Sequence, residues 1–168
     1  MNRFAALIDG LLFTPSRNGK LRLMAEYFAT VPDPERGWAL AALTGELSFA
    51  EAKPSQVRAL AMARVDPVLF AWSADFVGDL AETVSLIWPV GESDPTVPAP
   101  ALSELVDTLR LAGRADVAGH LAGWLDRLDA TGRWALLKLV TGALRIGVSA
   151  RLAKTALAEW GGVPVEAI

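Results

Sequence analysis

Apolar residues recur along most of the chain at intervals of three and four positions, the spacing that places them on one face of an α-helix. Leu, Ala and Val dominate these runs, and the period is near 3.6 residues rather than the period of two that is typical of a strand. The pattern therefore predicts an all-α fold, a single multi-helix domain of about ten helices.

Prolines, glycines and capping residues divide the apolar pattern into ten predicted helices. Ser16, Asp33, Asp79 and Ser149 precede helical patterns and are expected to cap them. A proline-rich loop is expected over 89–100. The predicted helices cover residues 2–12, 16–30, 33–43, 54–65, 66–72, 79–88, 101–111, 115–128, 131–140 and 149–160.

The tryptophans fall on the apolar faces of these helices, which favours a place in the core over a role as stacking platforms for bases. All six are therefore expected to be buried: Trp38, Trp72, Trp88, Trp124, Trp134 and Trp160.

A set of Arg, Leu, Thr, Gly and Leu with identical spacing occurs twice, in 36–47 and, 97 positions later, in 133–144. The same offset pairs Arg17 with Arg114 and Tyr27 with Trp124. Two related helical halves would produce this correspondence. Leu- and Ala-rich helices that end in glycine also match each other by composition alone.

Charge is distributed unevenly along the chain, whose formal net charge is −3. Residues 65–109 contain eight acids and no Lys or Arg. The rest of the chain holds all 16 basic residues and the other 11 of the 19 acids, a net charge of +5. Residues 130–158 contain five basic residues and no acid. This asymmetry predicts a positive face built from the two ends of the chain.

Composition excludes several kinds of site. Cysteine is absent and His120 is the single histidine, so disulfides, thiolate metal sites and histidine metal clusters are impossible. No charged-then-apolar leader follows Met1, and no apolar run approaches the ~20 residues that span a bilayer. The sequence therefore predicts a cytoplasmic protein with no membrane partner.

The stretch 141–149 combines the end of one predicted helix, a lone arginine and the start of another helix. Gly142 stops the first helix, Gly147 frees the backbone, and Ser149 caps the second helix. The first amides of a capped helix have no partner within the helix, so they can bind an anion such as phosphate beside Arg145. Since Arg145 lies between two apolar residues, it either reaches solvent or pairs with a carboxylate at the helix junction.

The segment 137–149, LKLVTGALRIGVS, resembles the segment that closes the N-terminal DNA-binding domain of ATP-dependent DNA ligases, in which a Gly-x-Leu-Arg-Ile-Gly core recurs. Three further segments resemble the bacterial branch of that family in the expected order: 14–18, 36–40 and 77–83. The resemblance therefore covers nearly the whole chain.

The resemblance implies an all-α DNA-binding domain over residues 1–162, with 163–168 beginning the linker to a catalytic domain. The implied role is to hold nicked duplex DNA across the minor groove, largely through phosphates and without sequence readout, during replication, repair and recombination. The implied partners are nicked double-stranded DNA and the catalytic domains of the same ligase, and the implied state is a monomer. A pseudo-twofold molecule could hold the two strands symmetrically.

Two sources give the candidate DNA-binding residues. The resemblance carries over position by position to Gly78, Asp79, Gly142, Arg145, Gly147 and Ser149. Charge and capping add Arg17, Lys20, Arg151 and Lys154. Plainer interpretations stand beside these. An acid repels phosphate, so Asp79 is a helix cap rather than a DNA ligand, and Arg17 with Lys20 could form an ordinary solvated helix face.

Catalysis by this family uses ATP, Mg²⁺ and a lysine that takes AMP within a Lys-x-Asp-Gly motif. None of the four lysines, at 20, 53, 138 and 154, is followed by x-Asp-Gly. The chain is therefore expected to contain no catalytic residue, no metal site and no cofactor of its own, and not to join DNA alone.

Two other functional classes remain open. The apolar composition and the proline loop at 89–100 are also typical of a helical protein-interaction module without nucleic-acid binding. A stand-alone all-α enzyme has little support, because no clustered nucleophile, base or metal set can be named.

Overall fold

The computed structural model describes residues 1–89 and 97–168, and within these residues the chain forms ten α-helices, a terminal 3-10 turn and no strand. The all-α fold in a single domain is confirmed. The part of the expected proline loop at 90–96 lies outside the described residues. The helices are α1 (Asn2–Phe13), α2 (Arg17–Thr30), α3 (Glu35–Thr44), α4 (Pro54–Arg64), α5 (Pro67–Val77), α6 (Leu80–Ile87), α7 (Leu102–Leu111), α8 (Arg114–Arg127), α9 (Ala130–Val140) and α10 (Ala150–Gly161), followed by the 3-10 turn Val165–Ala167.

Local capping chemistry starts three of the helices where the sequence predicts. The Ser16 hydroxyl accepts a hydrogen bond from the Gly19 amide, Asp79 accepts from Glu82, and Ser149 accepts from Leu152. The expected cap at Asp33 is wrong. The residue before α3 is Pro34, whose ring has no hydrogen-bond donor or acceptor. The Asp33 carboxylate instead pairs with the Arg36 guanidinium at 3.5 Å.

A core of aliphatic and aromatic side chains runs between the helices. α1 packs against α9, and α2 packs against α10, so the first two helices of the chain pack against the last two. Ile8, Leu11 and Phe28 are completely buried on these helices. None of the helices in the described ranges is long and apolar enough to cross a bilayer.

The expectation that all six tryptophans are core residues is wrong for two of them. Trp88 and Trp124 are buried, and Trp38 and Trp134 are half-buried against the core. Trp72 is 73% exposed, because α5 buries only Phe70. Trp160 is 41% exposed, and its ring is covered by the Arg36 guanidinium at 4.2 Å.

The two halves of the chain repeat the same order of helices. α2 and α8 each have 14 residues, and both their first and last residues are 97 positions apart. At the same offset α1, α3 and α4 overlap α7, α9 and α10. The packing is also reciprocal. α1 packs on α9, and their counterparts α7 and α3 pack on each other; α10 packs on α2, and their counterparts α4 and α8 pack on each other. An approximate twofold relation between the halves produces this reciprocity.

The repeat extends to individual hydrogen bonds at the ends of α3 and α9. Gly45 and Gly142 both adopt the left-handed conformation, with φ of 79° and 70°. In α3 the Glu46 amide donates to Ala41, and in α9 the Ala143 amide donates to Lys138, 97 positions later. The hydroxyls of Thr44 and Thr141 also donate to equivalent carbonyls, those of Leu40 and Leu137. Helices that end in Thr-Gly commonly close in this way, so these bonds agree with the repeat without proving it. The reciprocal packing of the helices is the observation that favours the repeat.

Candidate nucleic-acid interface

The end of α9 fixes the direction of the segment that carries Arg145. Gly142 turns the chain with a positive φ, and the Ala143 amide closes the helix end by donating to the Lys138 carbonyl at 2.9 Å. Ile146 then returns to the core, where it is 5% exposed, while Arg145 before it is exposed. The alternation places the guanidinium of Arg145 on the surface.

Arg145 has no carboxylate partner within the described part of the chain. The ion pairs found there involve Arg36, Arg64, Arg127 and Lys138. Of the two interpretations that the sequence left open, the structure therefore favours an arginine that reaches solvent.

Lys20 holds the turn that follows Arg145. Its Nζ donates to the carbonyls of Ile146 and Gly147, both at 2.9 Å. Gly147 has a φ of 65°, and a Cβ at this position would lie 2.7 Å from the Lys20 Nζ. The left-handed backbone favours glycine at this position, and a Cβ would also displace the Lys20 ammonium group from the two carbonyls.

The start of α10 leaves two backbone amides available to a ligand. The Ser149 hydroxyl accepts from Leu152 at 3.1 Å, and the Ser149 carbonyl accepts from Ala153. Within the described ranges the amides of Ala150 and Arg151 have no acceptor, and both residues are exposed. This is the arrangement that binds anions at helix starts.

At the start of α6, the Asp79 side chain already accepts hydrogen bonds from two donors of the chain. The Asp79 carboxylate accepts from the Glu82 amide at 2.9 Å and from the Lys138 Nζ at 2.6 Å. Burial alone would raise the pKa of Asp79, but the hydrogen bonds from Lys138 and from the Glu82 and Ala81 amides hold the pKa below its ordinary value. Asp79 is therefore an ionised helix cap whose charge is balanced by Lys138.

One shallow pocket brings the α6 start and the Arg145 segment together. Its lining includes Asp79, Glu82, Lys138 and the segment 143–146. Glu82 is exposed at this pocket, so the site contains one acid whose charge is not balanced by a described ion pair. The α10 start follows within a few residues of the same segment.

The remaining basic candidates lie on the two helices that meet beside the turn. Arg17 and Lys20 are on α2, Arg151 and Lys154 are on α10, and these helices pack against each other. Arg17 and Arg151 are exposed, Lys154 is half-buried, and none of the three forms an ion pair with a described residue. Gly78 ends α5 with a φ of 73° and is not among the residues that line the pocket beside Arg145.

Sequence reasoning missed Lys138 as a site residue and missed what Lys20 contacts. Lys138 is 59 positions from Asp79, and Lys20 is more than 120 positions from the turn that it holds. No spacing rule links residues so far apart. The acid-free stretch 130–158 was the one signal that included Lys138.

The chain matches no protein-family model. It is similar to a probable DNA ligase of Opitutus terrae, with 26% identity over 211 aligned positions that cover 99% of this chain. The chain spans 21% of that protein's length. The similarity therefore links nearly the whole helical domain to a small part of a much longer protein.

Proposed function

We propose that this chain binds duplex DNA at nicks, through phosphates and the minor groove and without sequence readout, as the N-terminal DNA-binding domain of an ATP-dependent DNA ligase. The observation that carries the proposal is the surface formed by Arg145 and the start of α10. There Arg145, an exposed residue with no described ion pair, lies a few residues before Ala150 and Arg151, two exposed residues whose amides have no acceptor among the described residues. The guanidinium and the amides are donors to phosphate oxygens.

Charge supports the same surface. A net −3 chain can hold DNA only if its basic residues are concentrated, and residues 130–158 contain five of them and no acid. Arg133 is buried and Lys138 is paired with Asp79. The other three are not buried and form no ion pair with a described residue: Arg145, Arg151 and Lys154. The cations of α2 and α10 adjoin this segment because these helices pack together. Each exposed helix-end contact contributes about 0.3–1 kcal/mol, so several must act together.

The approximate twofold relation of the two halves supports a duplex as the ligand. The two strands of a duplex are themselves related by twofold axes, so a molecule with matching helix ends can contact both strands in a similar way.

In this proposal residues 1–162 bind the DNA, and 163–168 begin the connection to nucleotidyltransferase and oligonucleotide-binding domains. Those domains would supply the AMP-carrying lysine, ATP and Mg²⁺, since no lysine of this chain is followed by x-Asp-Gly. The named relative, a probable DNA ligase much longer than this chain, supports that arrangement.

Arg145→Ala tests the proposal. The wild-type chain is titrated with a fluorescein-labelled nicked duplex and binding is followed by anisotropy at several salt concentrations; its affinity should fall steeply between about 50 and 200 mM salt. Arg145→Ala loses one phosphate contact, so it should bind about fivefold more weakly and reduce the slope of log K against log salt by about 0.9. The circular dichroism spectrum should not change, because Arg145 is exposed.

Arg110→Ala is the matched control. Arg110 is exposed on α7, with its guanidinium 5.2 Å from the Trp38 ring, and it is outside the candidate interface. It should lose little affinity. Equal losses for the two variants, or wild-type affinity that does not change with salt, would overturn the assignment. Loss of helicity in Arg145→Ala would show that Arg145 has a structural role instead.

A further inference from the structure

α5 exposes most of its apolar surface. Among its 11 residues only Phe70 is buried. Leu69, Trp72 and Phe76 are 51%, 73% and 93% exposed, and their spacing of three and four positions places them along one stripe. Isolated apolar residues on a surface need no explanation, but a stripe of this kind is typical of an interaction site.

The apolar surface continues from α5 to the end of α1. Leu86 of α6, which is 63% exposed, lines a pocket together with Trp72 and Phe76. Leu86 also lines a neighbouring pocket together with Phe13, which is 76% exposed. The two pockets share Leu86, and their lining is mainly apolar; together they are called the α5–α6 groove below.

Acidic residues accompany the groove. Asp9 and Glu82 line its α1 end, and Asp75 is an exposed neighbour of Phe76 on α5. None of the three forms an ion pair with a described residue, and residues 65–109 contain no Lys or Arg. The groove therefore combines apolar contact area with uncompensated negative charge.

This charge decides among possible occupants. DNA and anionic lipid would meet acids in the groove with no Lys or Arg among its lining residues, whereas at the candidate DNA interface Glu82 lines a pocket together with Lys138 and Arg145. A second copy of the chain seated groove to groove would place acids against acids. A protein segment with apolar side chains on one side and Lys or Arg beside them complements both properties of the surface.

We infer that the α5–α6 groove docks an amphipathic helix of a protein partner, with aliphatic or aromatic anchors in the groove and Lys or Arg opposite Asp9, Asp75 and Glu82. An amphipathic helix presents apolar anchors on one side with Lys or Arg beside them, the combination that complements the apolar and acidic residues of the groove. The groove adjoins the candidate DNA interface, because Leu12, Glu82 and Trp134 line both. The docked basic helix would thus lie beside the bound duplex.

The test uses two labelled model peptides that share one leucine face at helical spacing, one with lysines and the other with glutamates on the remaining face. Anisotropy titration without DNA should show saturable one-to-one binding of the Leu/Lys peptide, weakened by salt, and no binding of the Leu/Glu peptide at the same concentrations. The double variant Trp72→Ala and Phe76→Ala should weaken binding of the Leu/Lys peptide at least tenfold. Glu82→Gln should weaken it less and reduce its salt dependence.

Leu111→Ala is the control, because Leu111 is 89% exposed at the end of α7 and does not line the groove. It should bind the Leu/Lys peptide as the wild type does. Equal binding by the wild type and the double variant would overturn the inference, and so would equal affinity for the two peptides. A wild-type dimer in sedimentation that the double variant loses would assign the groove to a second copy. DNA is absent throughout, so the result is independent of the proposed DNA binding.

Discussion

Replacing Lys20 with Met separates two roles for this lysine, a phosphate contact and a support for the turn beside Arg145. Methionine keeps much of the apolar stem and removes the ammonium group. Lys20 donates to the carbonyls of Ile146 and Gly147, both at 2.9 Å, and one of these bonds is partly buried. The structure therefore predicts that the loss is felt first in stability.

The size of the effect follows from these two bonds. A hydrogen bond to a charged group contributes about 1.5–3 kcal/mol when it is buried, and solvent screening reduces that value at a partly exposed site. The pair is therefore worth about 1–2 kcal/mol. In a domain of this size each kcal/mol shifts Tm by about 2–4 °C, so Lys20→Met should lower Tm by roughly 2–8 °C.

Arg17→Met is the matched control for thermal unfolding and duplex titration. Arg17 lies one turn earlier on α2, is exposed, and forms no ion pair with a described residue. Its replacement should change stability by less than about 0.5 kcal/mol. If Arg17 contacts phosphate, Arg17→Met should also reduce the slope of log K against log salt for duplex binding by about 0.9.

Lys20→Met should weaken duplex binding with little change in this slope. An unchanged Tm together with a reduced slope would refute the supporting role and make Lys20 a direct phosphate contact.

Two further predictions concern carboxylates whose pKa is lowered in the folded protein. Such a carboxylate stabilises the fold at a pH above the pKa that it has in the unfolded chain, and this stabilisation is lost as pH falls through its pKa in the folded protein. Burial alone would raise the pKa of Glu35, but hydrogen bonds from Ser103 and Leu102 at the start of α7 hold the pKa below its ordinary value. Glu35→Gln should therefore lower stability by about 1 kcal/mol at pH 7. Thermal unfolding should show that the difference in stability between variant and wild type disappears as pH falls through the lowered pKa of Glu35, and a difference independent of pH would contradict the cap. Asp79→Asn keeps a capping side chain but loses the ion pair to Lys138, so we expect a loss of about 0.5–1 kcal/mol at pH 7 that also disappears in acid. Equal Tm values for Asp79→Asn and wild type at pH 7 would argue against a stabilising pair.

Most helix boundaries could be predicted from the sequence because they depend on local chemistry. Ser16, Asp79 and Ser149 cap the helices that follow them, and Gly45 and Gly142 end helices in the left-handed conformation. The predicted end of α5 at residue 72 was too early. The next five residues contain no proline or glycine, so the helix continues to Val77 and ends at Gly78.

Burial was harder to predict than secondary structure. An apolar helix face in the sequence indicates a contact surface, but it does not show that this chain supplies the contact. Trp72 was expected in the core for that reason, and it is one of the most exposed aromatic residues described.

The candidate site was predictable only where it depends on neighbouring residues. The turn at Gly142, the glycine at 147 and the cap at Ser149 follow from positions a few residues apart. The contacts of Lys20 with the 146–147 carbonyls depend on the packing of α2 against α10, and that of Lys138 with Asp79 depends on the packing of α9 against α6. Such contacts require the tertiary structure.

The most direct test of the proposed DNA interface is the response of individual backbone amides to nicked duplex, followed by NMR on the isotope-labelled chain. The account predicts the largest shifts at Ala150 and Arg151, with further shifts around Arg145 and little change at Trp72 and Phe76. Shifts centred on the α5–α6 groove, or shifts absent from the start of α10 at low salt, would contradict it.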